Sequence, residues 1–85
     1  MRIAVLGAGM VGSAIAVDLS KTFSVVAADI DREALERLGK THGIDCIHSD
    51  LQDEQAVRDV IRDVDMVVNA VPGFMGYKTL KTIIG

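Results

Sequence analysis

The 85-residue sequence has no tryptophan, one proline, Pro72, and one cysteine, Cys46. A lone cysteine excludes an internal disulfide, and no Cys/His cluster is spaced for a metal. Aromatic residues make up only 4%, so the core must be aliphatic. No apolar run approaches the roughly 18 residues of a membrane-spanning helix. Nine basic residues against twelve acidic ones give a net charge of −3, with no basic cluster. That balance argues against a nucleic acid or an anionic membrane as partner. The N-terminus has no basic segment before its apolar residues and no cleavage site, so a secretory leader is not expected. The expectation is a soluble, cytoplasmic protein with one small core.

What is present stands at the start of the chain. Ile3 to Leu6 is a short apolar run, followed at once by Gly7-x-Gly9-x-x-Gly12. A helical pattern runs from Met10 to about Ser20. A second apolar run, Ser24 to Ala28, ends on Asp29. Strand, glycine turn, helix, strand and acid is the order that a dinucleotide-binding unit requires. Gly7 lets the chain turn sharply. Gly9, without a Cβ, lets the backbone approach a pyrophosphate. Gly12 lets the helix pack closely on the first strand. The first N–H groups of the helix lack internal partners, and its dipole favours an anion there. Gly7, Ala8, Gly9, Met10, Val11 and Gly12 are therefore candidate cofactor-binding residues.

Asp29 lies 17 residues beyond Gly12, near the roughly 20-residue offset of a ribose-binding acid. Its carboxylate can accept hydrogen bonds from both ribose hydroxyls and would repel a 2′-phosphate. The implied cofactor is NAD in preference to NADP. Ile30, next to this acid, joins the candidate set. The competing role for Asp29 is a helix cap, but Asp31 is the better cap.

The rest of the chain repeats the alternation. Val11, Ala14, Ile15 and Leu19 are spaced as the apolar face of the first helix, and Ala14 and Ala16 suit close packing. Asp31, with Glu33 in the first turn, opens a second helix that buries Ala34, Leu35 and Leu38 and ends at Gly39 or Gly43. Ile44 to His48 reads as a third strand, less apolar and nearer an edge. Asp50 or Asp53 caps a third helix that buries Ala56, Val57, Val60 and Ile61. Met66 to Ala70 is the fourth strand, broken by Val71-Pro72-Gly73. A last helix is expected from about Met75 to Ile84. The pattern βαβαβαβα with short connections predicts a three-layer α/β/α, Rossmann-like fold with a parallel sheet of order 3-2-1-4. A ligand belongs at the switch point, above Gly7 to Gly12 and Asn69 to Gly73. Asp50 and Leu51, after strand three, stand where an adenine would border, and for Asp50 helix capping is the favoured role.

Arg2-Ile-Ala-Val-Leu-Gly-Ala-Gly-Met-Val-Gly-Ser, Ala28-Asp-Ile-Asp-Arg-Glu-Ala-Leu, and Val67-Val-Asn-Ala-Val-Pro with Leu80-Lys-Thr-Ile resemble the N-terminal part of saccharopine dehydrogenase and lysine dehydrogenase-type enzymes. The resemblance covers the whole chain and implies an NAD(P)-dependent oxidoreductase acting at an amino-acid C–N bond. It also implies that the backbone of Asn69, Ala70, Val71 and Pro72 faces the ribose and nicotinamide side. Such enzymes continue with further strands and a substrate domain. The expectation is therefore the N-terminal half of a cofactor domain, not catalytic by itself. FAD binding, or a structural module with little nucleotide affinity, are the alternatives. An exposed strand-four edge with Leu80, Ile83 and Ile84 suggests a homodimer.

Other candidates read as ordinary residues. Tyr77 and Lys81 have the spacing of a short-chain dehydrogenase pair, but are simply neighbours on a helix. Cys46 reads as a small core residue. His42 and His48 read as surface or loop residues, and Arg32 as a solvated residue of a first helical turn.

Overall fold

A strand that is apolar on both sides needs cover on both sides, and two such segments, Arg2–Leu6 and Ser24–Asp29, lie at the centre of a four-stranded parallel sheet. A computed structural model describes residues 1–70. Its strands are β1 (Arg2–Leu6), β2 (Ser24–Asp29), β3 (Asp45–His48) and β4 (Met66–Asn69), in the order β3-β2-β1-β4. The helices between them are α1 (Met10–Ser20), α2 (Arg32–His42) and α3 (Glu54–Ile61).

Alternation along the strands divides the core in two. Ile3, Val5, Val25 and Ala27 pack with Ala16 of α1 and with Ala34, Leu35 and Leu38 of α2. Ala4, Leu6, Val26 and Ala28 face the other way, onto Leu51 and onto Val57 and Val60 of α3. The result is the α/β/α layering and the strand order expected from the sequence. At the amino ends of the strands, Arg2 ties the sheet together. Its N–H donates to Asp65 Oδ2 at 2.8 Å, and its guanidinium donates to Ser24 Oγ at 2.5 Å and to Asp45 Oδ2 at 3.3 Å.

The structure corrects some local expectations. Val11 is 66% exposed and Ala14 is also exposed, so neither belongs to the buried face of α1. The buried residues are Gly12 and Ala16, with Ile15, Val17 and Leu19 partly buried beside them. Small residues four apart bring α1 so close to the sheet that only a narrow strip is covered. Ile44 is buried but precedes β3. Ala70 follows β4, although its N–H still donates to the Leu6 carbonyl at 2.8 Å. In α3, Val57 and Val60 are buried, whereas Ala56 and Ile61 lie at the margin. Gly43, at φ +66°, ends α2 in the left-handed conformation. The expected last helix, with Tyr77, Leu80, Lys81, Ile83 and Ile84, lies outside the described residues, as do Val71, Pro72 and Gly73.

Candidate functional site

The three motif glycines serve different ends. Gly7 has φ +105°, a conformation that side chains rarely adopt, and its N–H donates to the Ala28 carbonyl at 2.7 Å. A Cβ on Gly12 would collide with the Gly7 carbonyl oxygen, lie 2.8 Å from the Gly7 carbonyl carbon and 3.3 Å from the Ala70 Cβ. The fold itself requires both. Gly9 is another matter. Its φ of −70° and ψ of −165° are open to any residue, and an added Cβ would meet nothing within 4 Å. Neither backbone conformation nor packing within the described chain explains a glycine at position 9.

The N-terminus of α1 is also left open. Gly9 is its N-cap, no side chain caps it, and its first turn carries no acid. The first helical bond runs from the Ser13 N–H to the Gly9 carbonyl at 2.8 Å, so the N–H groups of residues 10 to 12 precede the intrahelical ladder. By contrast, Asp31 caps α2 by accepting from the Glu33 and Ala34 N–H groups, and Asp53 caps α3 by accepting from the Gln55 N–H. Both of those helices also carry a glutamate in the first turn, Glu33 and Glu54.

Asp29, at the end of β2, leans back onto this turn. Its Oδ2 accepts from the Ala8 N–H at 2.6 Å and its Oδ1 from the Asp31 N–H at 3.0 Å. Its carbonyl accepts from the Ser49 N–H at 2.9 Å, which holds the exit of β3 alongside. Ala8 is held on its other side too, because Ser13 Oγ donates to the Ala8 carbonyl, in the Ala8–Gly9 peptide, at 2.7 Å. Ser13 is a site residue that the sequence reading missed. Its signal was slight, a hydroxyl one position after Gly12 where it could turn back onto the glycine turn. As expected, the cap of α2 is Asp31, which leaves Asp29 beside the turn.

The remaining candidates fall around this centre. Met10 is 92% exposed and Ile30 is 53% exposed. With Val11 they form an apolar lip beside the open glycine turn. Leu51 is buried in the α3-side core, so its side chain serves packing. Asp50 shapes the turn before α3, where its Oδ1 accepts from the Gln52 N–H at 2.9 Å; the α3 cap is Asp53. Asn69 and Ala70 end β4 beside β1, the Ala70 side chain facing Gly12. A cleft of about 810 Å³ starts at Ala8, Gly9 and Met10 and runs between α1 and α2 to Lys21 and His42. It includes part of the glycine turn but not Asp29 or Ile30. His48, opposite Asp29 in the β2–β3 register, donates through Nε2 to the Ile30 carbonyl at 2.9 Å. Cys46 packs against the core, and burial, then the neighbouring Asp45 carboxylate, pushes its thiol pKa up. Among the described residues no group of His, Cys, Asp or Glu side chains could hold a metal ion. No described helix is long and apolar enough to cross a membrane.

The model of the family described as saccharopine dehydrogenase NADP binding domain matches residues 3–85. The chain belongs to that family. Among solved structures, it is similar to apo saccharopine dehydrogenase (L-Glu forming) from Saccharomyces cerevisiae, with 26% identity and a TM-score of 0.82. That similarity covers 98% of this chain and 19% of the yeast enzyme. It is similar also to a UDP-Glc/GlcNAc 4-epimerase from Campylobacter jejuni, with 26% identity and a TM-score of 0.70 over 85% of this chain and 24% of the epimerase. A yeast methylglyoxal/isovaleraldehyde reductase complexed with NADPH shares the fold, at 20% identity and a TM-score of 0.71, over 99% of this chain and 32% of the reductase. No curated protein matches the chain. The Rossmann-like fold and the saccharopine dehydrogenase resemblance read from the sequence both hold.

Proposed function

We propose that the chain binds a nicotinamide dinucleotide through its glycine turn and the open end of α1, as the cofactor unit of an amino-acid C–N oxidoreductase. The observation that carries this reading is Gly9, whose missing side chain the fold does not need. The pyrophosphate lies against Gly9 and takes hydrogen bonds from the N–H groups at the start of α1. The adenosine ribose lies against Asp29, and the adenine lies near Ile30, Asp50 and the Leu51 backbone. Asn69 and Ala70 border the nicotinamide side; Val71 and Pro72, of the same motif, lie outside the described residues. When bound, the nicotinamide supplies hydride transfer; the residues here bind and orient it.

The family description names NADP. Asp29 supports the opposite preference. Its carboxylate oxygens are fixed by the Ala8 and Asp31 N–H groups, so the side chain is held where a 2′-phosphate would meet a negative charge. NAD is the cofactor we assign. A calorimetric titration of the chain with NAD, with NADP and FAD as controls, tests this. Heat with NAD and much less with NADP is expected. Equal or tighter NADP binding overturns the preference, and no heat with any of them, from folded protein, overturns the binding itself. An intracellular location goes with such a cofactor. A homodimer through the β4 edge is the finer expectation, which a monomeric elution volume at high micromolar concentration would sink.

A further inference from the structure

We infer that Asp29 and Ser13 are positioning residues for the pyrophosphate, acting through Ala8, whose N–H and carbonyl they hold. This rests on the dinucleotide reading and adds to it a second role for Asp29, separate from ribose recognition. Ala8 links Gly7, whose φ is +105°, to Gly9, the N-cap of α1. Two torsionally permissive glycines flank it, so the local backbone does little to fix the two peptide groups that Ala8 joins. Tertiary contacts do. Asp29 Oδ2 accepts the Ala8 N–H at 2.6 Å, a charge-assisted bond from β2. Ser13 Oγ donates to the Ala8 carbonyl at 2.7 Å, from the first turn of α1.

The two hydrogen bonds fix the peptide groups on either side of Ala8, Asp29 the Gly7–Ala8 unit and Ser13 the Ala8–Gly9 unit. The turn is thereby set before any ligand arrives, and the ordering cost of a glycine-rich loop does not fall on binding. Asp29 is held in its turn by the Asp31 N–H at 3.0 Å, so the grip is anchored to the start of α2. A consequence for specificity follows. Replacing Asp29 to admit a 2′-phosphate also releases the Ala8 N–H, so such a change weakens NAD without a matching gain for NADP.

The test separates the two roles by removing the ribose hydroxyls from the ligand instead of from the protein. Dissociation constants for ADP and for 2′,3′-dideoxy-ADP are measured calorimetrically on the wild-type chain, Ser13→Ala and Asp29→Ala, well below each melting temperature. Ser13→Ala is expected to weaken both ligands by the same factor, about three- to tenfold, the scale of one lost hydrogen bond. Asp29→Ala is expected to weaken ADP more than the dideoxy ligand, and to weaken the dideoxy ligand as well. An unchanged dideoxy-ADP affinity in both variants overturns the positioning role and leaves Asp29 a ribose ligand only. If Asp29→Ala does not fold, Ser13→Ala alone decides, because its hydroxyl is spent on the turn. A folded wild-type chain that binds neither nucleotide overturns the dinucleotide reading, and this role with it.

Discussion

The three helix N-termini among the described residues face the same physical problem and answer it differently. Each has N–H groups without intrahelical acceptors and the positive end of a dipole. α2 and α3 answer with their own side chains, Asp31 and Asp53 as caps and Glu33 and Glu54 in the first turn. α1 has neither, and its N-cap is Gly9, where an added Cβ would have open space. Among the described residues the difference does not come from crowding, since nothing lies within 4 Å of a Cβ at position 9. In the function proposed above, the uncapped end of α1 is where an anionic ligand docks, whereas the caps on α2 and α3 complete the fold.

The sharpest way to break this contrast is to give α1 the cap that its neighbours have. Gly9→Asp is expected to leave the free chain as stable as before or more stable by a few tenths of a kcal/mol, because glycine is itself a tolerated N-cap. It should lower NAD affinity by at least about a hundredfold, or about 2.7 kcal/mol, because a side chain and a negative charge then stand where the pyrophosphate belongs. Thermal melts and calorimetry on one preparation read both. Retained NAD affinity would place the ligand elsewhere. Gly9→Ala, without the charge, should show a smaller loss and stability within about 0.5 kcal/mol of wild type.

Gly12→Ala sharpens the comparison within the motif itself. Here the Cβ meets the Gly7 carbonyl, so denaturant unfolding should show a loss of about 1–3 kcal/mol before any ligand is added. A neutral result would mean that α1 can move away from β1 without penalty. Asp53→Ala tests the opposite side of the contrast. Removing the α3 cap should cost about 1 kcal/mol and leave the NAD dissociation constant unchanged. A fall in affinity would show that the caps of α3 and the site on α1 are not independent.

The smallest effect concerns Cys46, on the β3 side of the sheet that the ligand does not need. With its thiol pKa raised by burial and by Asp45, less thiolate is present at a given pH than in an exposed cysteine. Alkylation by iodoacetamide at neutral pH should be slower than for an unfolded peptide control, and should speed up as pH rises. Equal rates would show that β3 opens readily at the edge.

Most of this arrangement was legible in the sequence. Strand order and layering followed from continuous apolar runs separated by single helices, because only a parallel sheet covered on both sides accommodates them. Asp31 was readable as a cap because Ncap chemistry is local. The burial of α1 was not, since Val11 and Ala14 fit a helical stripe while the real contact is the pair of small residues Gly12 and Ala16. Apolar spacing weighs a valine above a glycine, yet close helix–sheet approach reverses that weighting. The grip on Ala8 was beyond reach, because Asp29 and Ser13 meet that residue only after the turn has folded. Asp29 was found for the chemistry of its carboxylate at a strand end, with no sign of the bond it makes to the turn.

The division of labour among the glycines gives the motif two separable histories. Losing Gly7 or Gly12 penalises the folded state, so any descendant that keeps this architecture is under pressure to retain them whatever it binds. Position 9 feels no such pressure. In a lineage that abandoned its cofactor, a side chain should return first at position 9, while the flanking glycines persist as relics of the shape. A Gly-x-x-x-x-Gly remnant would then mark the ancestry of a domain, and its third position would record whether the ligand is still in use.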